Sequence, residues 1–146
     1  MSKAARAIIV ENGKILVMQR NKHGSEYFTL VGGRVGASET LEQALEREVR
    51  EETGLQVTNA RLVFIEEHPA PYNEQYVFLC EVAAHTSIAI QEASEESLMN
   101  TIGINTHKPL WAETRAFARL QFRTPQLANA IIAGLKDGFP NTPVKL

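Results

Sequence analysis

Between Glu39 and Thr53 the chain reads ETLEQALEREVREET, with carboxylates where a helix would keep its apolar residues. At about 100° per residue, Leu41, Ala44, Leu45 and Val49 form one stripe. Glu48 and Glu52 fall inside that stripe and Glu51 on its border, while Glu42, Gln43, Glu46, Arg47 and Arg50 take the opposite side. A solvated helix separates its glutamates from its leucines. Ion pairs four residues apart, Glu46 with Arg50 and Arg47 with Glu51, account for the outer face. They do not account for Glu48 and Glu52, for which the helix supplies no lysine or arginine of its own. Buried carboxylates must be neutralised, either by a pairing group from elsewhere in the fold or by a metal ion. Clustered hard oxygen ligands beside a glycine-rich loop suit Mg²⁺ or Mn²⁺.

The flanking segments have to hold this helix in place. Ser38 or Thr40 is its expected N-cap and Gly54 its stop. Upstream, Ala7–Val10 and Ile15–Met18 are β-rich runs joined through Asn12-Gly13, the pair a tight hairpin turn favours. Asn21–Ser25 reads as a polar loop and Tyr27–Val31 as a short strand, followed by the glycine cluster Gly32, Gly33 and Gly36. Downstream, strands are expected at Arg61–Ile65 and Gln75–Val82, split by the turn-rich Pro69–Asn73. Ala84–Asn105 has the least periodicity and reads as a long loop, with room for one short strand at Ser87–Ile90. Pro109-Leu110-Trp111 suggests a last short strand before a short helix near Glu113–Phe117. A final helix is expected from about Pro125 to Leu135, with proline in its first turn, and the tail from Asp137 to Leu146 is expected to be irregular.

With 146 residues, 44% hydrophobic and 22% charged, the expectation is one globular domain over 1–146. Fifteen basic residues against seventeen acidic ones give a net charge of -2, which argues against coating nucleic acid or anionic membrane by bulk charge. The single cysteine, Cys80, excludes an internal disulfide and reads as a core residue. With no long apolar segment, the expected location is the cytoplasm. There is no nucleophile-elbow G-x-S-x-G and no G-x4-G-K-[S/T], and His23, His68, His85 and His107 show no metal-ligand spacing.

From Gly33 to Leu55 the sequence GRVGASETLEQALEREVREETGL fits G-x5-E-x7-R-E-U-x-E-E-x-G-U, with U apolar. This is the Nudix box, and the chain resembles the Nudix hydrolases. Seven identity-constrained positions make the match a roughly 10⁻⁸ coincidence per starting point. The resemblance implies an α/β fold, an α/β/α sandwich around a mixed sheet. One departure is Val31, where many relatives carry proline before the double glycine.

Carried over position by position, the resemblance makes Glu48, Glu51 and Glu52 the cation-holding glutamates, helped by the carbonyl at Gly32. It makes Glu39 and Arg47 a bracing pair beside the catalytic glutamates. The implied chemistry is attack by water on a nucleoside diphosphate linked to another group, with Mg²⁺ neutralising the phosphate oxygens and a carboxylate accepting the water's proton. A box glutamate is one candidate base; Glu95 and Glu96 in the acidic loop are others, set against their reading as solvated charge.

For substrate choice, relatives associate a proline about sixteen residues past the box with ADP-ribose, and a tyrosine slightly further on with dinucleoside polyphosphates. Pro71 and Tyr72 supply both pointers, and nucleoside triphosphates remain a third class. Arg20 and Arg34 are candidate phosphate contacts. Phe28, with Tyr27, Phe64 and Tyr76, is a candidate base-stacking ring, against the commoner use of strand aromatics as core. The implied partner is a small nucleotide-type molecule, without nucleic acid or membrane, and many relatives pair as homodimers. A Nudix-fold module that binds such a ligand without cleaving it is the alternative of another class.

Overall fold

The structure, a computed structural model, describes residues 2–68, 74–85 and 105–146. Its elements are β1 (Lys3–Glu11), β2 (Lys14–Lys22), β3 (Ser25–Thr29), β4 (Val31–Arg34), α1 (Leu41–Thr53), β5 (Val57–Glu67), β6 (Glu74–Val82) and β7 (Asn105–Glu113). A 3₁₀ segment (Thr114–Arg119), α2 (Pro125–Asp137) and a two-residue β8 (Val144–Lys145) complete the described chain.

The β1–β2 turn follows the sequence signal, with Asn12 and Gly13 both left-handed at φ 51° and 73°. The two strands then stay paired only at Val10–Ile15 and Glu11–Lys14. Beyond that β1 takes β4 antiparallel and β6 parallel, while β2 takes β3 and β7 antiparallel. The hairpin therefore opens like a wedge, and the sheet is mixed, as expected. β5 lies antiparallel to β6 and parallel to β8.

Strand alternation sorts the core between two helices. Ala5, Ala7 and Ile9 of β1 and Leu16 and Met18 of β2 pack with Ala44, Leu45 and Val49 of α1. Ile8, Ile15 and Val17 pack with Phe117 and with Leu127 and Ile131 of α2. The helices thus cover opposite faces, giving the α/β/α sandwich. Each fully buried Leu or Ile contributes about 1.5–3 kcal/mol of transfer free energy.

Several boundaries differ from the sequence reading. The expected Asn21–Ser25 loop is a two-residue turn at His23-Gly24, both left-handed, with Asn21 and Lys22 still paired to Glu26 and Ser25. The Asn21 side chain accepts from the Gly24 N–H at 3.1 Å, which closes the turn without an Asn-Gly signal. Gly32 and Gly33 lie in a strand, β4, opposite Arg6 and Ala5. A Cβ on Gly32 would fall 2.1 Å from the Ala5 carbonyl oxygen, so the missing side chain is what lets β4 approach β1. α1 starts at Leu41, after a Thr40 cap that exchanges hydrogen bonds with Gln43, and ends at a left-handed Gly54. The tail is not wholly irregular, since β8 joins β5 at Phe64 and Ile65. The expected Pro69–Asn73 turn and Ser87–Ile90 strand lie outside the described residues.

Candidate active site

Glu48 and Glu52 are buried, as their place in the apolar stripe requires, and Glu51 is half-buried. Both buried carboxylates meet β4. Glu52 Oε1 accepts from the Gly32 N–H at 2.6 Å. The Glu48 carboxylate lies so close to Gly33 that a Cβ there would stand 2.6–2.8 Å from its carbon and oxygens.

Arg47 does what the helix was expected not to do for Glu48: its Nη1 donates to Glu48 Oε1 at 2.9 Å and to Glu51 Oε2 at 3.3 Å. Neighbouring helix positions point about 100° apart, but a long guanidinium spans that gap. Arg47 also grips both oxygens of Glu39 (2.7 and 2.9 Å) and the Arg34 carbonyl (3.0 Å), bracing the glycine segment against α1. Glu39 further accepts from the Gly36 N–H at 2.7 Å. The Arg47 hydrogen bond, aided by Gly36, holds the Glu39 carboxyl down at about 2. Arg47 is in turn held more firmly protonated, chiefly by Glu39.

Among the described residues, no three His, Cys, Asp or Glu side chains already converge on one point. The donor set nevertheless fits a hard cation. Glu48, Glu51 and Glu52 offer oxygens, and the cradle at Gly33 stays open only because no Cβ fills it. Mg²⁺ keeps several waters and needs only one or two protein carboxylates. The Gly32 carbonyl accepts from Arg6 Nη1 at 2.9 Å; a carbonyl has two lone pairs, so this contact does not displace a cation.

A cleft of about 430 Å³ opens where β1 and β2 part. Among the described residues, Lys3, Arg6, Arg20, Lys22, Arg34 and Arg123 line it, against one lining carboxylate, Glu52. Behind its wall sits Glu66, almost fully buried. Its Oε1 meets His68 Nε2 and Gln75 Nε2, each at 3.1 Å, and its Oε2 accepts from the Thr124 hydroxyl. Gln75 Oε1 accepts from Arg6 Nε at 3.0 Å, so Glu66 connects through Gln75 and Arg6 to Gly32 and Glu52. Thr124 is also the N-cap of α2.

A profile of the NUDIX domain matches residues 1–119. The chain belongs to the Nudix family. Among its relatives, the NAD-capped RNA hydrolase NudC of Edwardsiella ictaluri is 40% identical over 83 residues, covering 54% of this chain and 32% of that protein. The NudC of Pectobacterium carotovorum is 39% identical over 70 residues, covering 48% and 27%. The Nudix chain thus spans a third or less of the length of these curated relatives. The solved Escherichia coli ORF135 protein shares the fold at a TM-score of 0.67 and 23% identity, covering 92% of this chain and 91% of that one. A MutT structure from Aliivibrio salmonicida and Vibrio cholerae matches at 0.67 and 20%, covering 90% and 95%.

On this Nudix fold Gly32, Glu52, Arg20 and Arg34 line the cleft together. Phe28 is instead packed in the core with Leu30, Val63 and Leu127. Its neighbour Tyr27 takes the cleft side, because successive strand residues face opposite ways. Pro71, Tyr72 and Glu95 lie outside the described residues. Sequence reasoning missed Arg6, Glu66, Gln75 and Arg123. Glu66 carried a signal, since it stands two residues from Phe64 on the face that turns inward. Cys80 is a buried core residue whose thiol burial pushes up to about 12. Among the described residues no helix is long and apolar enough to cross a membrane.

Proposed function

We propose that this chain is a Mg²⁺-dependent pyrophosphohydrolase, with Mn²⁺ a substitute, cleaving a nucleoside diphosphate linked to another moiety. The observation that carries this reading is the seating of Glu48 and Glu52 against Gly33 and Gly32, at the edge of a cleft lined by six cations. A divalent cation on Glu48, Glu51 and Glu52 would supply charge neutralisation on the diphosphate oxygens. The residues of the chain do the rest. Arg47 and Glu39 fix the helix against the glycine segment, Arg34 meets the scissile diphosphate, and Arg20 is a second phosphate contact lining the same cleft. A glutamate of the box or Glu95 takes the proton of the attacking water.

ADP-ribose-like compounds come first among substrates, on Pro71; nucleoside triphosphates and dinucleoside polyphosphates, the latter on Tyr72, come second. Relatives named for NAD-capped RNA act on a member of the same chemical class, a nucleotide joined through a diphosphate. The reading places the enzyme in the cytoplasm as one domain over 1–146, acting on small nucleotides, with a homodimer as its assembly.

The test is the appearance of cleaved nucleotide products, separated by anion exchange, from ADP-ribose, nucleoside triphosphates and a dinucleoside polyphosphate, with Mg²⁺ and then with excess chelator. Cation-dependent turnover of one class is the expected result. Tight binding of a ligand with no turnover anywhere would replace the hydrolase by the non-catalytic module.

A further inference from the structure

Resting on the diphosphate reading above, we infer that the cleft holds a second anion subsite, built by Arg20, Lys22 and Arg123, for a phosphate the substrate carries outside its scissile diphosphate.

The cleft's cations fall into two groups. Lys3, Arg6 and Arg34 stand on β1 and β4, where Ala4 pairs with Arg34 and Arg6 with Gly32, beside the glutamates. Arg20 and Lys22 stand two residues apart on β2, on one strand face, and Arg123 precedes the α2 cap. The first group, with a cation on the glutamates, suffices to meet a diphosphate. Among the described residues lining the cleft no carboxylate stands with the second group, and like charges held together need an anion between them.

The row around Arg20 fits an anion better than a base. Arg20 lies directly across from Tyr27 on β3 and His107 on β7. Tyr27 is the aromatic ring lining the cleft, yet it is only 8% exposed. Its face is taken by the Arg123 guanidinium 3.8 Å from the ring centroid, with Arg20 at 5.6 Å. No open ring is left there for stacking, and two guanidinium groups are held in place by cation–π contact. Arg20 Nε and the Thr29 hydroxyl are buried without a hydrogen-bond partner among the described residues, and both residues line the cleft. A phosphate oxygen is the acceptor that a guanidinium lining the cleft takes.

The phosphate can be a monoester on the nucleoside or the diester of an attached nucleotide. The experiment separates them. Dissociation constants are measured by calorimetry in excess chelator, which stops turnover, for ADP-ribose, ADP-ribose 2′-phosphate, and ADP-ribose extended by one 3′-linked nucleotide. At least one phosphorylated compound is expected to bind about tenfold more tightly than ADP-ribose, and which one identifies the source. In Arg20→Gln and Arg123→Gln that ratio should collapse toward one, with thermal melting confirming that each variant is folded. Equal affinity for all three compounds overturns the subsite, whatever the turnover assay gives. A ratio that survives both substitutions overturns it too. A persisting, arginine-dependent ratio without turnover in Mg²⁺ or Mn²⁺ upholds the subsite while the hydrolase reading fails.

Discussion

Glu52 Oε1 accepts the backbone N–H of Gly32 at 2.6 Å, joining the last turn of α1 to the glycine strand. The bond satisfies a buried amide and fixes where the carboxylate can point. A glutamine keeps a carbonyl oxygen for that bond but loses the negative charge. Glu52→Gln is therefore expected to leave the melting temperature within a few degrees of wild type and lower turnover by about 100-fold or more at saturating Mg²⁺. Full activity in this variant would remove Glu52 from the metal site.

The two glycines of β4 should fail differently. A Cβ on Gly32 would strike the Ala5 carbonyl oxygen at 2.1 Å and Arg6 Cα at 2.8 Å, both backbone, at a φ of 136° that L residues avoid. Gly32→Ala is expected to destabilise the fold by about 1–3 kcal/mol or more, read in a urea titration. On Gly33 the atoms nearest to it are the end of the Glu48 side chain, which can shift where backbone cannot. Gly33→Ala should keep most of its stability while raising the Mg²⁺ concentration needed for half-maximal turnover. Equal stability losses in the two variants would contradict this division.

The pair of Glu39 and Arg47 predicts an acid-side signature. The Glu39 carboxyl is held at about 2 against an ordinary 4.5, because Arg47 and the Gly36 N–H bond its ionised form. A carboxyl whose folded value is depressed binds its proton more readily when unfolded. Its stabilising contribution is therefore complete above 4.5 and is lost as pH falls toward about 2. The melting-temperature gap between wild type and Glu39→Gln should shrink steadily over that window. A gap that stays constant down to pH 2 would show that the ion pair does not carry it.

The box glutamates were legible because helical spacing and burial conflict openly at Glu48 and Glu52, and that conflict needs no tertiary knowledge. The turn at Asn12-Gly13, the Thr40 and Gly54 caps and the helix at Pro125 were equally legible, since each is decided within a few residues. What could not be read was long-range. Gly32 and Gly33 looked like a loop because their extended pairing depends on a close approach to the backbone of Ala5 and Arg6, far earlier in the sequence. Tyr27 and Phe28 could not be assigned to cleft and core without knowing which face of β3 turned inward. The chain from Glu66 through Gln75 and Arg6 to Gly32 joins four strands and has no local signature.

That chain gives the last prediction. Glu66 accepts from the Gln75 amide and the Thr124 hydroxyl, and its Oε1 also meets His68 Nε2. It thereby turns the Gln75 amide so that Nε2 faces Glu66 and Oε1 faces Arg6. Glu66→Leu strands these partners in a buried setting and removes one anchor of the α2 cap. A loss of about 2–4 kcal/mol is expected in a urea titration. Glu66→Gln has one amide NH₂ where the carboxylate accepted. Turned toward Gln75, that NH₂ forces the Gln75 amide to rotate and sets its NH₂ against the Arg6 Nε–H. The smaller expected loss is about 1 kcal/mol, accompanied by a fall in kcat as Gly32 and Glu52 lose their support. Gln75→Leu cuts the same connection while leaving Thr124 bonded to Glu66, and should reproduce the fall in kcat with less damage to α2. Unchanged kcat in both variants would confine Glu66 to holding the α2 cap.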